Sequence, residues 1–295
     1  MEIALISSKK DIASLNIRNN LLSHFDFDKT SKKFHNNETF CLLNGNLNLT
    51  LFTIDEKLIH AENIDNDIES YLGKKTDLSI FLSKHISKDN KPAFTCHSIG
   101  NWGKADYGGA DRRLCTASPI FIKLFFAELN KIFLPYRDEK NFETTMEATH
   151  HGPYVNCPAV FVEIGSTENE WNDNLSGELV AKSVMNSINN FANNKTNLDK
   201  TNFRVAFGIG GTHYCNNFFK IMIKTNVALG HICPKYILEK LDDNLIKEAI
   251  ESSVPKADFA LLDWKGLGQE KQRIISILDK LNVKYERSDK LLNLF

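Results

Sequence analysis

Short apolar runs separated by helical stretches recur from one end of this chain to the other, and that rhythm restricts the fold more than any other feature. The apolar runs are Glu2–Ser7, Leu49–Thr53, Leu78–Ser83, Ala93–His97, Phe142–Glu147, Ala159–Ile164, Arg204–Phe207, Val227–His231 and Phe259–Leu262. Candidate helices lie at Ile12–Leu22, Pro119–Lys131, Gly177–Asn193, Ile237–Ile250 and Gln269–Leu281. Most of the strands are rich in Val, Ile and Phe with few charges, as strands covered on both faces are. The alternation predicts an α/β fold: a mixed, largely parallel sheet sandwiched by helices. A chain of 295 residues accommodates one such unit, 1–295, or two lobes (about 1–140 and 141–295) sharing one active-site cleft. Gly100–Asp111, rich in glycine, and Asn194–Asn202, polar, read as connections.

A hydrophobic share of 42% and a charged share of 25% are those of an ordinary globular protein. No apolar run approaches the roughly 18 residues that a membrane-spanning helix needs. Met1–Ile6 lacks the basic flank and cleavage site of a signal peptide and reads as a first strand, so the expectation is a cytoplasmic protein away from membranes. Cys41, Cys96, Cys115, Cys157, Cys215 and Cys233 form no C-x-x-C pair, which excludes a zinc knuckle and argues against a disulfide framework. Most read as small buried hydrophobes, although Cys96, Cys157, Cys215 and Cys233 stay candidate ligands through their closeness to the histidine motifs. The net charge of −1 supplies no overall field for nucleic acid, and DNA is not expected; a local basic patch for RNA remains open. A monomer is favoured.

The polar residues gather at strand ends. His97 closes one apolar run, His150 and His151 follow another, His213 follows Gly208-Ile209-Gly210-Gly211, and His231 ends a further strand. Five of nine histidines thus fall at four strand ends, where open α/β sheets bind ligands. Each has a plain alternative as hydrogen-bonded scaffolding. Gly152-Pro153 supplies a turn that lets His150 and His151 face one cleft. Glu163, inside an apolar strand, needs a cation, a metal or strong donors. Histidines and carboxylates without a thiolate cluster suit Zn²⁺ in an open site, with a free His or Glu as general base. The candidate metal ligands are His97, His150, His151, Glu163 and His213. The candidate catalytic groups are Glu147, His150, His151, Glu163 and His213.

These residues also carry a family resemblance. Ser83-Lys84-His85-Ile86-Ser87, and then Pro92-Ala93-Phe94-Thr95-Cys96-His97-Ser98-Ile99-Gly100-Asn101, resemble the S-[RK]-H-x-S and P-x-x-T-x-H-x-x-G-N stretches of the archaeal and plant-type D-aminoacyl-tRNA deacylases. Glu147–Pro153 is similar to that family's E-A-T-H-H-G-P block, Phe161–Thr167 to F-x-E-I-G-S-T, and Gly208–Tyr214 to G-I-G-G-G-H-Y. Gly230-His231 and Trp264–Leu267 fit later blocks. Thr212 stands where the pattern has glycine, which places the geometry of that turn in question.

The resemblance, which runs from about Leu78 to Ile275, implies a zinc-dependent hydrolase that cleaves the ester of D-aminoacyl-tRNA, with two zinc ions per subunit. It also implies a fold similar to the phosphorylase and peptidyl-tRNA hydrolase folds. Set beside it, Lys84, His85, Lys88, Lys91, Lys104, Arg112 and Arg113 become candidate tRNA contacts. Two other readings compete: a metal-dependent amidohydrolase or nucleoside-processing enzyme, which needs no basic rim, and a non-catalytic tRNA-binding module whose histidines are core.

Overall fold

The computed structural model describes residues 1–195 and 203–293. Its larger sheet takes eight strands: β1 (Glu2–Ser8), β2 (Asp28–Phe34), β3 (Asn37–Asn44), β4 (Leu47–Ile54), β5 (Leu78–His85), β6 (Ala93–Ser98), β7 (Glu143–Met146) and β8 (Ala159–Gly165), in the order β2-β3-β4-β1-β5-β8-β6-β7. β4, β1, β5 and β8 run parallel; β6 turns antiparallel to β8, and β7 follows β6. The second sheet is wholly parallel: β9 (Arg204–Ile209), β10 (Val227–Cys233), β11 (Phe259–Leu262) and β12 (Tyr285–Arg287), in the order β10-β9-β11-β12.

The apolar runs are explained by packing on both faces. In β1, Ile3 and Leu5 pack towards α1 (Ile12–His24), α3 (Pro119–Phe133) and α5 (Asn174–Lys195). Ala4 and Ile6 of the same strand pack towards α2 (Ile64–Leu72). The second sheet divides in the same way. Ala206, Leu229 and Leu261 join the main core beside α6 (Asn216–Lys224). Phe207, Ala260 and Leu262 face α7 (Asp243–Glu251) and α8 (Lys271–Lys280). Each of the larger buried side chains among these, the Ile, Leu and Phe residues, contributes about 1.5–3 kcal/mol of transfer free energy. The mixed α/β architecture is therefore the one that the alternation of the sequence predicts. Two short helices, α4 (Glu168–Asn172) and α9 (Ser288–Leu292), complete the α-helices of the described residues.

Three local expectations change. Ile237–Ile250 is not one helix: a 3-10 segment, Lys235–Lys240, stops before α7. Asp242 sits between them with extended backbone and caps α7, its carboxylate accepting the Leu245 N–H at 3.0 Å. The hairpin β2–β3 escapes the apolar pattern because β2 is an exposed edge strand, its Lys29, Lys32 and Lys33 turned to solvent as edge strands commonly arrange. Of the connection expected at Asn194–Asn202, the first two residues continue α5, and 196–202 lie outside the described residues. Among the described residues, no helix is long and apolar enough to cross a membrane.

Candidate active site

Cross-strand register decides where the site lies. In β8, Phe161 and Glu163 point to one face, being two residues apart. Ser83 of β5 pairs with Glu163, while Thr95 and His97 of β6 pair with Glu163 and Phe161. These side chains therefore stand on the same face of the sheet. Because β6 is antiparallel to β8, its carboxyl end arrives from the opposite direction. The cleft thus opens at the carboxyl ends of the parallel strands, where Lys10 and Asp11 follow β1, Lys57 and Leu58 follow β4, and Ser83 to Lys88 close β5, while His97 of β6 reaches in over the sheet face beside Phe161. The Phe161 ring stacks on His97 at 5.4 Å and meets His151 edge-on at 4.7 Å.

After β7 the chain crosses towards the second sheet. Ala148 donates its N–H to the His213 carbonyl at 2.8 Å, and Thr149 donates to Ile232 at 3.1 Å. The Trp102 indole donates to the Thr149 and Ile232 carbonyls at 3.1 and 3.2 Å, closing the junction. His151 adopts a left-handed backbone (φ +46°), which turns its side chain into the cleft beside that of His150. Gly152 follows because its backbone meets the Gly100–Asp111 loop: a Cβ there would lie 2.2 Å from the Gly109 nitrogen. In the turn after β9, Gly210 and Gly211 have positive φ (+97° and +82°), as does Cys215 before α6 (+48°); Thr212 is not among them, so its Cβ is accommodated.

The three histidines are set up alike. His97, His150 and His151 each direct Nδ1 at a main-chain carbonyl, of Ser98, Ala148 and Gly152, at 3.0, 2.8 and 2.6 Å. A carbonyl only accepts, so each Nδ1 carries the proton and each Nε2 the lone pair. Nε2 of His97 is buried and has no hydrogen-bond partner. Potential ligand atoms of the three histidines lie within 4.8 Å of one another. Burial first, and then the positive charge of neighbouring imidazoles, pushes all three pKa values down to about 3, so they are neutral. Neutral, converging and backbone-oriented imidazoles are what a zinc site requires, and these residues fit the ion. Among the described residues, no cysteine joins a potential metal-binding group; burial raises the Cys96 thiol well above its usual range.

The carboxylates are arranged differently. Glu147 is buried, with Oε2 2.9 Å from His213 Nε2 and 3.8 Å from His150 Nε2, and Oε1 3.2 Å from His85 Nδ1. Burial opposes its charge, but the imidazoles hold its pKa well below the usual carboxylate range. Glu163 accepts a hydrogen bond from Thr95 at 3.1 Å and lies 3.6 Å from His85 and 4.0 Å from His97. With fewer cations near it, burial and the charge of Glu147 raise it to about 7. Burial alone would keep His85 neutral, yet the two carboxylates raise its pKa to about 11. The two carboxylates thus favour the protonated form of His85, which also lies 3.3 Å from the Tyr214 hydroxyl and is buried in the wall of the cleft rather than exposed on its rim.

The cleft, about 1000 Å³, is bordered by Lys10, Lys57, Lys84, Lys88, Lys104 and Lys240. Lys84, Lys88 and Lys104 belong to the basic patch read from the sequence; Lys10, Lys57 and Lys240 come from separate segments, and only the fold unites them. Arg112 and Arg113 are committed elsewhere, to Asp242 at 2.6 Å and to Glu248 at 3.2 Å. Lys91 is exposed beyond the lining of the cleft. His231 is scaffolding: buried, its Nε2 meets the Cys115 and Ser252 carbonyls at 2.9 and 3.1 Å.

An α/β frame whose cleft gathers neutral imidazoles, a charged carboxylate–histidine pair and a lysine border has the equipment of a hydrolase for an anionic substrate. The chain belongs to the D-aminoacyl-tRNA deacylase family, whose model matches residues 72–286. The D-aminoacyl-tRNA deacylase of Thermococcus onnurineus is 34% identical over 285 residues, covering 96% of this chain and 98% of that one. The deacylase of Pyrococcus abyssi is 33% identical over 283 residues, covering 95% and 98%. A crystal structure of a conserved protein of unknown function superposes with a TM-score of 0.83 at 32% identity, covering 99% of this chain and 96% of that one.

Proposed function

We propose that this chain hydrolyses the ester joining a D-amino acid to tRNA with the help of a zinc ion held by His97, His150 and His151. The hydrolysis follows from membership of the family and from near full-length relatives that bear the deacylase name. The metal rests on one observation above all: three Nδ1–H groups committed to main-chain carbonyls leave three Nε2 lone pairs together, that of His97 buried without a partner. His213 and Glu163, the other ligands that the sequence suggests, fall in two further groups able to hold an ion, His213 with Glu147 and His150, and Glu163 with His85 and Glu147. A bound zinc ion would supply a Lewis acid for the ester carbonyl.

The protein groups handle the protons. Glu147 holds His213 through Nε2–H, which leaves the lone pair on Nδ1, where the Tyr236 hydroxyl stands at 3.2 Å. His213 Nδ1 takes a proton from the attacking water and returns it to the departing ribose oxygen, the carboxylate stabilising the imidazolium between the two steps. Water and ester become a D-amino acid and a tRNA with a free terminal hydroxyl. The lysine border meets the phosphates of the RNA. We place this work in the cytoplasm, where aminoacyl-tRNA is used.

The test is zinc content measured beside deacylation. Elemental analysis of the wild type should find zinc, and H97A and H151A should lose both the metal and hydrolysis of D-tyrosyl-tRNA. Full activity in zinc-free protein would rule out the metal.

A further inference from the structure

We propose that Tyr107 and Tyr236 form a stacking platform for the unpaired nucleotides at the 3′ end of the tRNA, an assignment that rests on the deacylase reading. The cleft of about 1000 Å³ lies at the top of the range for small-molecule sites, and a single amino acid leaves much of it unfilled. The reacting ester joins the amino acid to the ribose of the last nucleotide. When the ester reaches the imidazoles, the terminal base lies one sugar away, within the same cleft.

Two aromatic rings border that space while remaining largely in water. Tyr236 is 60% exposed, yet its hydroxyl is fixed 3.2 Å from His213 Nδ1. Tyr107 is 70% exposed, and its carbonyl accepts the Gly152 N–H at 3.1 Å, directly after His151. Both rings line the cleft. They therefore stand beside the reacting centre from two separate segments, the loop that carries Tyr107 and the 3-10 segment that carries Tyr236, each anchored through a polar atom with its ring left accessible. Stacking on such rings is worth about tenfold in affinity per base and does not depend on which base is presented.

The charges around the rings suit a polyanion. Lys10, Lys57, Lys84 and Lys88 line the cleft beside them, with Lys84 lying 4.8 Å over the Trp171 ring. The carboxylates on the same lining are already engaged. Asp11 accepts the Ser14 and Lys84 N–H groups, and Asp106 pairs with Lys104 at 3.3 Å. Phosphates entering beside the bases meet ammonium groups.

The experiment is fluorescence-polarisation binding of uncharged tRNA, intact and lacking its unpaired 3′ end, to wild type, Y107A, Y236A, Y107F and Y236F. Each alanine variant should bind intact tRNA about tenfold more weakly. The phenylalanine variants, which keep the ring, should bind like wild type, and trimmed tRNA should bind all five proteins alike. An equal loss on both RNAs, or no loss in either alanine variant, overturns the assignment. Deacylation of D-tyrosyl-tRNA by the wild type, run in parallel, tests the underlying reading separately.

Discussion

His213 Nε2 lies 2.9 Å from Glu147 Oε2, joining an imidazole one-third exposed to the cleft with a carboxylate almost closed to solvent. The pair resembles the base and orienting acid of a hydrolytic triad in its logic, since the buried charge fixes the tautomer of the exposed ring. Glu147→Gln preserves the shape and removes the charge. Turnover on D-tyrosyl-tRNA should fall at least about a hundredfold, the scale of losing an acid–base group. Unchanged turnover would reduce Glu147 to a structural partner of His85.

His150 and His151 should separate chemistry from stability. Each alanine variant should lose about a hundredfold or more in turnover while the fold survives, because both side chains border the cleft. Turnover and thermal melting are measured together. Wild-type turnover with a melting point several degrees lower would assign these residues to structure.

The lysine border and the two arginines should behave oppositely. Removing Lys10, Lys57 and Lys84 together should flatten the salt dependence of tRNA binding, its log–log slope falling by about 0.7–0.9 for each phosphate no longer neutralised. Arg112→Ala and Arg113→Ala should leave that slope unchanged and cost about 1 kcal/mol of stability or less, since both form partly exposed ion pairs within the fold. A slope reduced by the arginine changes would return them to the RNA interface.

His231 gives a pH signature of stability. Burial depresses its pKa from 6.5 to about 4, against which two main-chain carbonyl bonds act only partly. Between these values the unfolded chain binds a proton that the folded chain does not, so its contribution is complete above pH 6.5 and is lost as pH falls through 4. The full span corresponds to about 3 kcal/mol. Denaturant melts of His231→Gln and wild type should therefore differ most at neutral pH and converge towards pH 4. A gap that stays constant over this range would contradict the linkage.

How much of this was legible in the sequence varies by residue. His97, His150 and His151 announced themselves by following apolar runs, and Gly152-Pro153 marked the turn that brings two of them together. The way His97 joins Glu163 on one face was not legible, because it depends on β6 pairing antiparallel to β8, and a short apolar run carries no direction. The role of His85 depended on neighbours far away in sequence. Its motif reads as basic and exposed, but Glu147 and Glu163 converge on it only once β5 and β8 are paired. The ion pairs of Arg112 and Arg113 were hidden for the same reason: their partners Asp242 and Glu248 lie more than a hundred residues on. Tyr107 and Tyr236 carry no motif, and only the shape of the cleft singles them out.

The most direct test of the account is deacylation of D-tyrosyl-tRNA and L-tyrosyl-tRNA by one preparation, assayed as purified, after chelation and after zinc is restored. D-tyrosyl-tRNA should be hydrolysed, L-tyrosyl-tRNA should be spared, and chelation should abolish hydrolysis until zinc returns. Hydrolysis of both isomers alike, or full activity in protein shown to be free of metal, would contradict it.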